Sequence, residues 1–250
     1  MLQRRSDTEA FMAEGDRIIF ALDVGDKTSA LKWIEQLSGR VGYFKVGLEL
    51  YTALGPQIVH EIKHGGLRCF LDLKFHDIPN TVAGAVRSAT RLGVDMMTVH
   101  ISGGTAMLKA AMDAVGSEAQ LLGIARPKII GVSVLTSLDE RALNQIGIMN
   151  TPAQQVEHLV SLATQCGIDG LVCSAADLGT IRDNIPDDVT VITPGIRPKW
   201  STKDDQARIT TPSMAVSSGA DLLVIGRPIS QADDPVEAVN KITAEIAGAA

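Results

Sequence analysis

The stretch FLDLKFHDIPNT, residues 70 to 81, sets Asp72, Lys74 and Asp77 within six residues at the end of an apolar run. Asp72 and Lys74 are two apart, so a strand would point both to one face. Asp77 follows past the strand end, where the chain turns at Ile78-Pro79. Two acids and an amine so close are costly to bury unless their charges cancel. A fourth charge, Lys45, interrupts the apolar run YFKVG. One reading is a lysine snorkelling from a strand edge. The other is a second cation facing the Asp72/Lys74 pair across neighbouring strands. Lys45 and Lys74 against Asp72 and Asp77 sum to zero. Alternating signs keep both amines protonated and both acids ionised despite burial. Such an array suits a reaction that builds negative charge beside an ammonium group.

Two further fragments bring a glycine and an arginine to strand ends: TPGIR with Arg197, and IGRPI with Gly226 and Arg227. If they end the last two strands of a barrel, they suit a phosphate group, held by backbone N–H groups and a guanidinium. Two solvated turns are the plainer reading of either fragment alone. Between them runs RPKWSTKDDQARITTP, residues 197 to 212, polar and long for a connection in a compact domain. It reads as a lid, with Gln206 a candidate to meet a ligand on closure; a surface insertion is the alternative. Asp23 ends the first apolar run and suits either capping of the helix after Gly25 or recognition of a sugar hydroxyl. His76 and His100 are the histidines expected near the same rim, whereas His60, His64 and His158 fall in helical segments facing solvent. No His/Glu/Asp set has convincing metal geometry, and no nucleophile is paired with a base.

The elements that must position these groups are eight β-branched, apolar runs: 18–23, 43–47, 69–74, 96–100, 129–135, 170–174, 189–195 and 222–226. Their continuous hydrophobicity suits parallel strands covered on both faces. Helical patterns lie between them. Ser29–Arg40 places Leu31, Ile34 and Leu37 on one face, and Thr151–Gly167 opens on a Thr-Pro start signal. The rhythm predicts a single (β/α)8 TIM barrel spanning residues 1–250, with 1–15 a polar arm. Periodicity alone leaves a doubly wound open sheet as the alternative. In a barrel, Asp23, Lys45, Asp72, Lys74, His100, Thr136, Ser174 and Arg197 all fall at or beyond the C-terminal strand ends, where barrel chemistry sits.

Composition narrows the function classes. A net charge of −6 argues against general nucleic-acid binding. No apolar run approaches the ~18 residues of a membrane span, and the Arg4-Arg5 start lacks the apolar core of a signal peptide. Cys69, Cys166 and Cys173 have no metal-ligand spacing, and their odd number suits a reducing compartment. A cytoplasmic protein is expected, with Cys69 and Cys173 in the core.

From about Arg17 to Ile242 the chain resembles the orotidine 5'-phosphate decarboxylase family of pyrimidine nucleotide synthesis. The resemblance rests on ALDV with Asp23, FKVG with Lys45, LDLKFHDIPNT, VLTS with Thr136, TPGIR with Arg197 and VIGRPI with Arg227, in that order. It implies decarboxylation of orotidine 5'-monophosphate to UMP with no cofactor and no metal. Lys74 would protonate the pyrimidine carbon inside a Lys45/Asp72/Lys74/Asp77 array. Asp23 would hold the ribose, Thr136 the pyrimidine, and Arg197, Gly226 and Arg227 the phosphate under a lid containing Gln206. It also implies a homodimer, with Asp77 and Thr81 reaching the partner's site. A magnesium-dependent sugar-phosphate decarboxylase or aldolase uses the same Asp-x-Lys-x-x-Asp motif on this barrel. That branch carries an acidic metal ligand where Lys45 stands. A non-catalytic nucleotide-phosphate binder is the third reading, and the intact charged array argues against it.

Overall fold

Every one of the eight apolar runs forms a parallel strand, and β1 pairs with β8 as well as with β2, which closes the sheet into a barrel and excludes the open-sheet alternative. The computed structural model describes residues 14–201 and 210–249. Most of the expected N-terminal arm, and Gln206 in the expected lid, lie outside the described residues. The strands are β1 Ile18–Ala21, β2 Tyr43–Gly47, β3 Cys69–Phe75, β4 Met96–His100, β5 Lys128–Val132, β6 Gly170–Val172, β7 Thr190–Thr193 and β8 Leu222–Ile225. β2 and β4 have the expected bounds. β1, β5, β6, β7 and β8 end earlier than their apolar runs, because pairing stops before hydrophobicity does. The β7–β8 ladder, for instance, ends at Thr193, before Pro194, which has no N–H to donate.

Two apolar layers hold the barrel. A small interior cluster takes side chains from every strand: Ile19, Tyr43, Phe70, Met96, Ile130, Val172, Ile192, and Leu222 with Val224. A larger cluster lies between the outer face of the sheet and the helices, with residues such as Phe20, Phe44, Leu71 and Met97 against Ile34, Ile62, Val86 and Leu108. Alternation along a strand separates the two layers. Two residues beyond an interior residue the side chain again points inward, nearer the C-terminal mouth. Lys45 follows Tyr43 in this way, Asp72 follows Phe70, and Thr98 follows Met96. The helices begin where local chemistry permits. Thr151 and Gln154 form a capping box before helix Pro152–Gln165, whose Val156, Leu159, Val160 and Ala163 are buried. Asp26, not Asp23, caps helix Lys27–Leu37 by accepting from Ser29 N–H at 2.9 Å.

The N-terminal rim carries a repeated tie. Gly93-Val94-Asp95, Gly167-Ile168-Asp169 and Gly219-Ala220-Asp221 directly precede β4, β6 and β8. Each glycine has a positive φ, which the tight turn needs. Each aspartate accepts from the backbone N–H at or near the start of the preceding strand: Cys69 at 2.7 Å, Ile129 at 2.8 Å and Val191 at 2.8 Å. Each also donates its own N–H to the same residue's carbonyl, at 2.9, 3.1 and 2.9 Å. Lys63 and Arg126 neutralise the first two carboxylates. Even so, burial holds the Asp169 carboxyl above its usual range.

Candidate active site

At the opposite rim the inward positions turn from apolar to charged. Asp23, Lys45, Asp72 and Lys74 form a chain of alternating sign. Lys45 Nζ lies 3.2 Å from Asp23 Oδ1 and 3.7 Å from Asp72 Oδ2, and Lys74 Nζ lies 2.9 Å from Asp72 Oδ1. The Asp23, Lys45, Asp72 and Lys74 side chains are 64, 11, 13 and 30 % exposed, so the two deepest groups, Lys45 and Asp72, are each flanked by two opposite charges. That compensation makes their desolvation tolerable. Lys45 is therefore a buried bridging cation, not a lysine snorkelling to water. Gly47, two residues on, leaves room for it: a Cβ there would stand 3.1 Å from Lys45 Nζ.

The end of β3 is irregular. Leu71 pairs with Met97 and Phe75 with Val99, so residues 72–74 all oppose the single residue Thr98. Such a bulge bends a strand and re-aims its side chains. Lys74 sits in it with φ 51°, a left-handed conformation that no other non-glycine residue adopts among those described. Asp72 and Lys74 do meet, but across a bulge and not on the regular strand face expected from their spacing. Thr98 is missing from the sequence reading. Its hydroxyl accepts from Lys74 N–H at 2.8 Å and donates to Asp72 Oδ1 at 3.0 Å, and the residue is fully buried. Its place two residues after interior Met96 is the signal that could have found it.

These groups open into a cleft of about 370 Å³ at the C-terminal ends of the strands. Asp23, Lys45, Asp72, Lys74, Thr136, Arg197, Gly226 and Arg227 all line it, over an apolar floor of Phe70, Val132, Val172 and Val224. The cleft thus combines the Asp/Lys array, two arginines and an apolar floor, the mix of convergent polar groups and apolar surface that small-molecule sites use. Cys173 also borders the cleft, but burial pushes its thiol up to about 12, so it is no thiolate nucleophile. His76 and His100 stack tilted, with ring centroids 5.2 Å apart beside the array. Burial, then the His76 ring and Lys74, hold the His100 imidazole below its usual range. His60, His64 and His158 are exposed on helices, as expected.

Asp77 and Thr81 do not line the cleft of their own chain. Both are exposed, and the Asp77 carboxylate accepts from Ile78 N–H at 2.6 Å. Within this chain the second acid of the balanced array is Asp23. Among the described residues no cluster of three or more His, Cys, Asp and Glu side chains is placed to hold a metal ion, and no helix is long and apolar enough to cross a membrane.

Comparison with known proteins gives a consistent result. A family described as orotidine 5'-phosphate decarboxylase / HUMPS matches residues 16–242. The chain is 50 % identical over 232 residues to an orotidine 5'-phosphate decarboxylase of Moorella thermoacetica, covering 92 % of each. It is 47 % identical over 237 residues to that of Syntrophomonas wolfei, covering 94 % of this chain and 99 % of the relative. The crystal structure of orotidine 5'-phosphate decarboxylase from Lactobacillus acidophilus superposes with a TM-score of 0.81 at 35 % identity, over 92 % of this chain and 98 % of that one. With the match spanning nearly the whole barrel, the chain belongs to the orotidine 5'-phosphate decarboxylase / HUMPS family.

Proposed function

We propose that the protein decarboxylates orotidine 5'-monophosphate to UMP without a metal or organic cofactor. The observation that carries this reading is one cleft lined both by an Asp–Lys–Asp–Lys chain and by Arg197 and Arg227. Arg197, Gly226 and Arg227 hold the phosphate, Asp23 the ribose, and Thr136 the pyrimidine. Gln206, outside the described residues, is the candidate to meet the ligand on closure. The bond between the ring carbon and the carboxylate breaks, its electron pair stays on the ring carbon, and carbon dioxide leaves. No adjacent carbonyl delocalises that pair. A fixed ammonium is the available stabiliser, and Lys74 then transfers a proton from Nζ to the carbon. Asp72 and Lys45 fix the position of Lys74 and balance its charge. Binding the remote phosphate supplies the energy that orders the array. Asp77 and Thr81, exposed beside the mouth of their own cleft, serve the site of a second copy in a homodimer.

The family's other branch, magnesium-dependent chemistry on a sugar phosphate, would need a metal ligand where Lys45 stands; an ammonium beside Asp72 competes with a metal for that carboxylate. The test follows orotidine 5'-monophosphate by absorbance with and without exhaustive EDTA. Turnover unchanged by the chelator is expected. Loss in EDTA restored by magnesium would move the chain to the sugar-phosphate branch, and no turnover under either condition would leave it a nucleotide binder.

A further inference from the structure

We infer that Thr98 is a positioning residue for the reaction, holding Lys74 in its left-handed conformation and locking Asp72 against it through one hydroxyl. The inference rests on the reading of Lys74 as proton donor. Residues 72–74 lack one-to-one partners on β4, and Thr98 is the residue opposite all of them. A bulge leaves backbone groups without their ladder bonds. Here the Thr98 hydroxyl takes the Lys74 N–H, at 2.8 Å, in place of a carbonyl. The same hydroxyl uses its only hydrogen on Asp72 Oδ1, at 3.0 Å, and that oxygen also accepts from Lys74 Nζ at 2.9 Å. The result is a closed loop: Lys74 backbone to Thr98, Thr98 to Asp72, Asp72 back to the Lys74 side chain.

The loop ties the strained backbone of Lys74 to the aim of its amine. A residue at φ 51° stays there only when its surroundings over-determine it. Thr98 is fully buried, so no water replaces its hydroxyl on either partner without reorganisation. Val99, the next residue, packs on the opposite side of the sheet in the outer apolar layer, so Thr98 alone on β4 meets both ends of the bulge. Thr98 itself does not line the cleft, which makes its action indirect.

The test compares Thr98→Val, which keeps the shape and loses the hydroxyl, with Thr98→Ser, which keeps the hydroxyl. Thr98→Ala, also without the hydroxyl, runs beside them so that misfolding of one variant does not remove the comparison. The valine and alanine variants should lose ~10–100-fold in kcat, the scale of an angstrom-level misplacement of a reacting group. KM and UMP affinity should stay within about threefold, because Arg197, Gly226 and Arg227 are untouched. Serine should restore kcat to within about threefold of the native enzyme. A crystal structure of the valine variant should show Lys74 leaving the positive-φ region. A valine variant with nearly native kcat overturns the inference, as does a serine variant as impaired as valine, or a parallel loss of kcat and UMP affinity. Lys74→Ala distinguishes the two levels. If that variant stays active the proton-donor reading itself fails; if it is inactive while Thr98→Val is unimpaired, only the role of Thr98 fails.

Discussion

Replacing Lys74 by alanine and, separately, by glycine splits its chemical role from its backbone strain. Either change removes the amine. Loss of a positioned proton donor costs ~10²–10⁴-fold. Loss of the cation at the developing carbanion costs a further ~10²–10³-fold. Together these give ~10⁴–10⁷-fold in kcat, or about 5–10 kcal/mol of barrier. Asp72 keeps Lys45 and the Thr98 hydroxyl, so neither variant strands a buried carboxylate. Stability should then differ between the two. At φ 51° an alanine pays a left-handed penalty of about 1–2 kcal/mol that glycine escapes. Glycine returns about 0.4–1 kcal/mol of that through the greater freedom of its unfolded chain. The glycine variant should therefore be the more stable by about 1 kcal/mol, or ~2–4 °C in Tm for a chain of this size. Urea unfolding at equal protomer concentration reads the difference, and orotidylate absorbance reads activity. Glycine no more stable than alanine would show that the Lys74 backbone is not strained. Either variant retaining a tenth of native turnover would refute the proton-donor role.

Three further outcomes follow from other parts of the site. Arg227→Ala should lower kcat/KM for the phosphorylated substrate by ~10–10²-fold, the scale of a charge-assisted hydrogen bond, while hardly changing any reaction of the unphosphorylated nucleoside; equal losses on both would mark the arginine as structural. Lys74→Ala and Asp77→Ala homodimers should each be nearly inactive, yet mixing them with subunit exchange should recover about a quarter of native activity, because half the dimers are mixed and one site in each is intact; no recovery after confirmed exchange would place Asp77 in its own chain's site. Folding stability should fall as pH drops below 6.5, the ordinary value for histidine, because burial keeps His100 neutral in the native state while the unfolded chain takes up its proton first. His100→Asn should flatten that slope as measured by urea midpoints across pH 5–7.5, and an unchanged slope would assign it elsewhere.

The barrel was legible because parallel strands buried on both faces must be continuously apolar, and all eight runs became strands. Strand ends were not, since hydrophobicity continues into the cleft lining at Val134 and Leu135 after β5 has stopped pairing. Lys45, Asp72 and Lys74 stood out because charges inside such runs need partners. Thr98 did not, because threonine in a strand is ordinary by propensity and only the bulge opposite gives it work. The bulge itself has no glycine or proline to announce it. Asp23 was ambiguous between cap and site until Asp26 took the cap. The Gly-x-Asp ties were passed over because each reads locally as an unremarked turn.

Those ties divide the molecule in a way that bears on its assembly. Each carboxylate joins the start of an odd-numbered strand to the turn before the next even one, so β3 with β4, β5 with β6 and β7 with β8 are each stitched into a pair. Between one pair and the next the same Asp95 and Asp169 bond through their backbone carbonyls instead, accepting from Lys128 and Thr190 N–H. In chain-connectivity terms β3 to β8 form three two-strand tiles, with β1 and β2 closing the ring between the last tile and the first. A polypeptide reopened between tiles, as in a circular permutant beginning near Arg126, keeps every stitch inside a continuous segment. One reopened within a tile asks two separated ends of the chain to find each other before the stitch can close. Because the stitches lie on the rim away from the cleft, such rewiring leaves the charged array untouched.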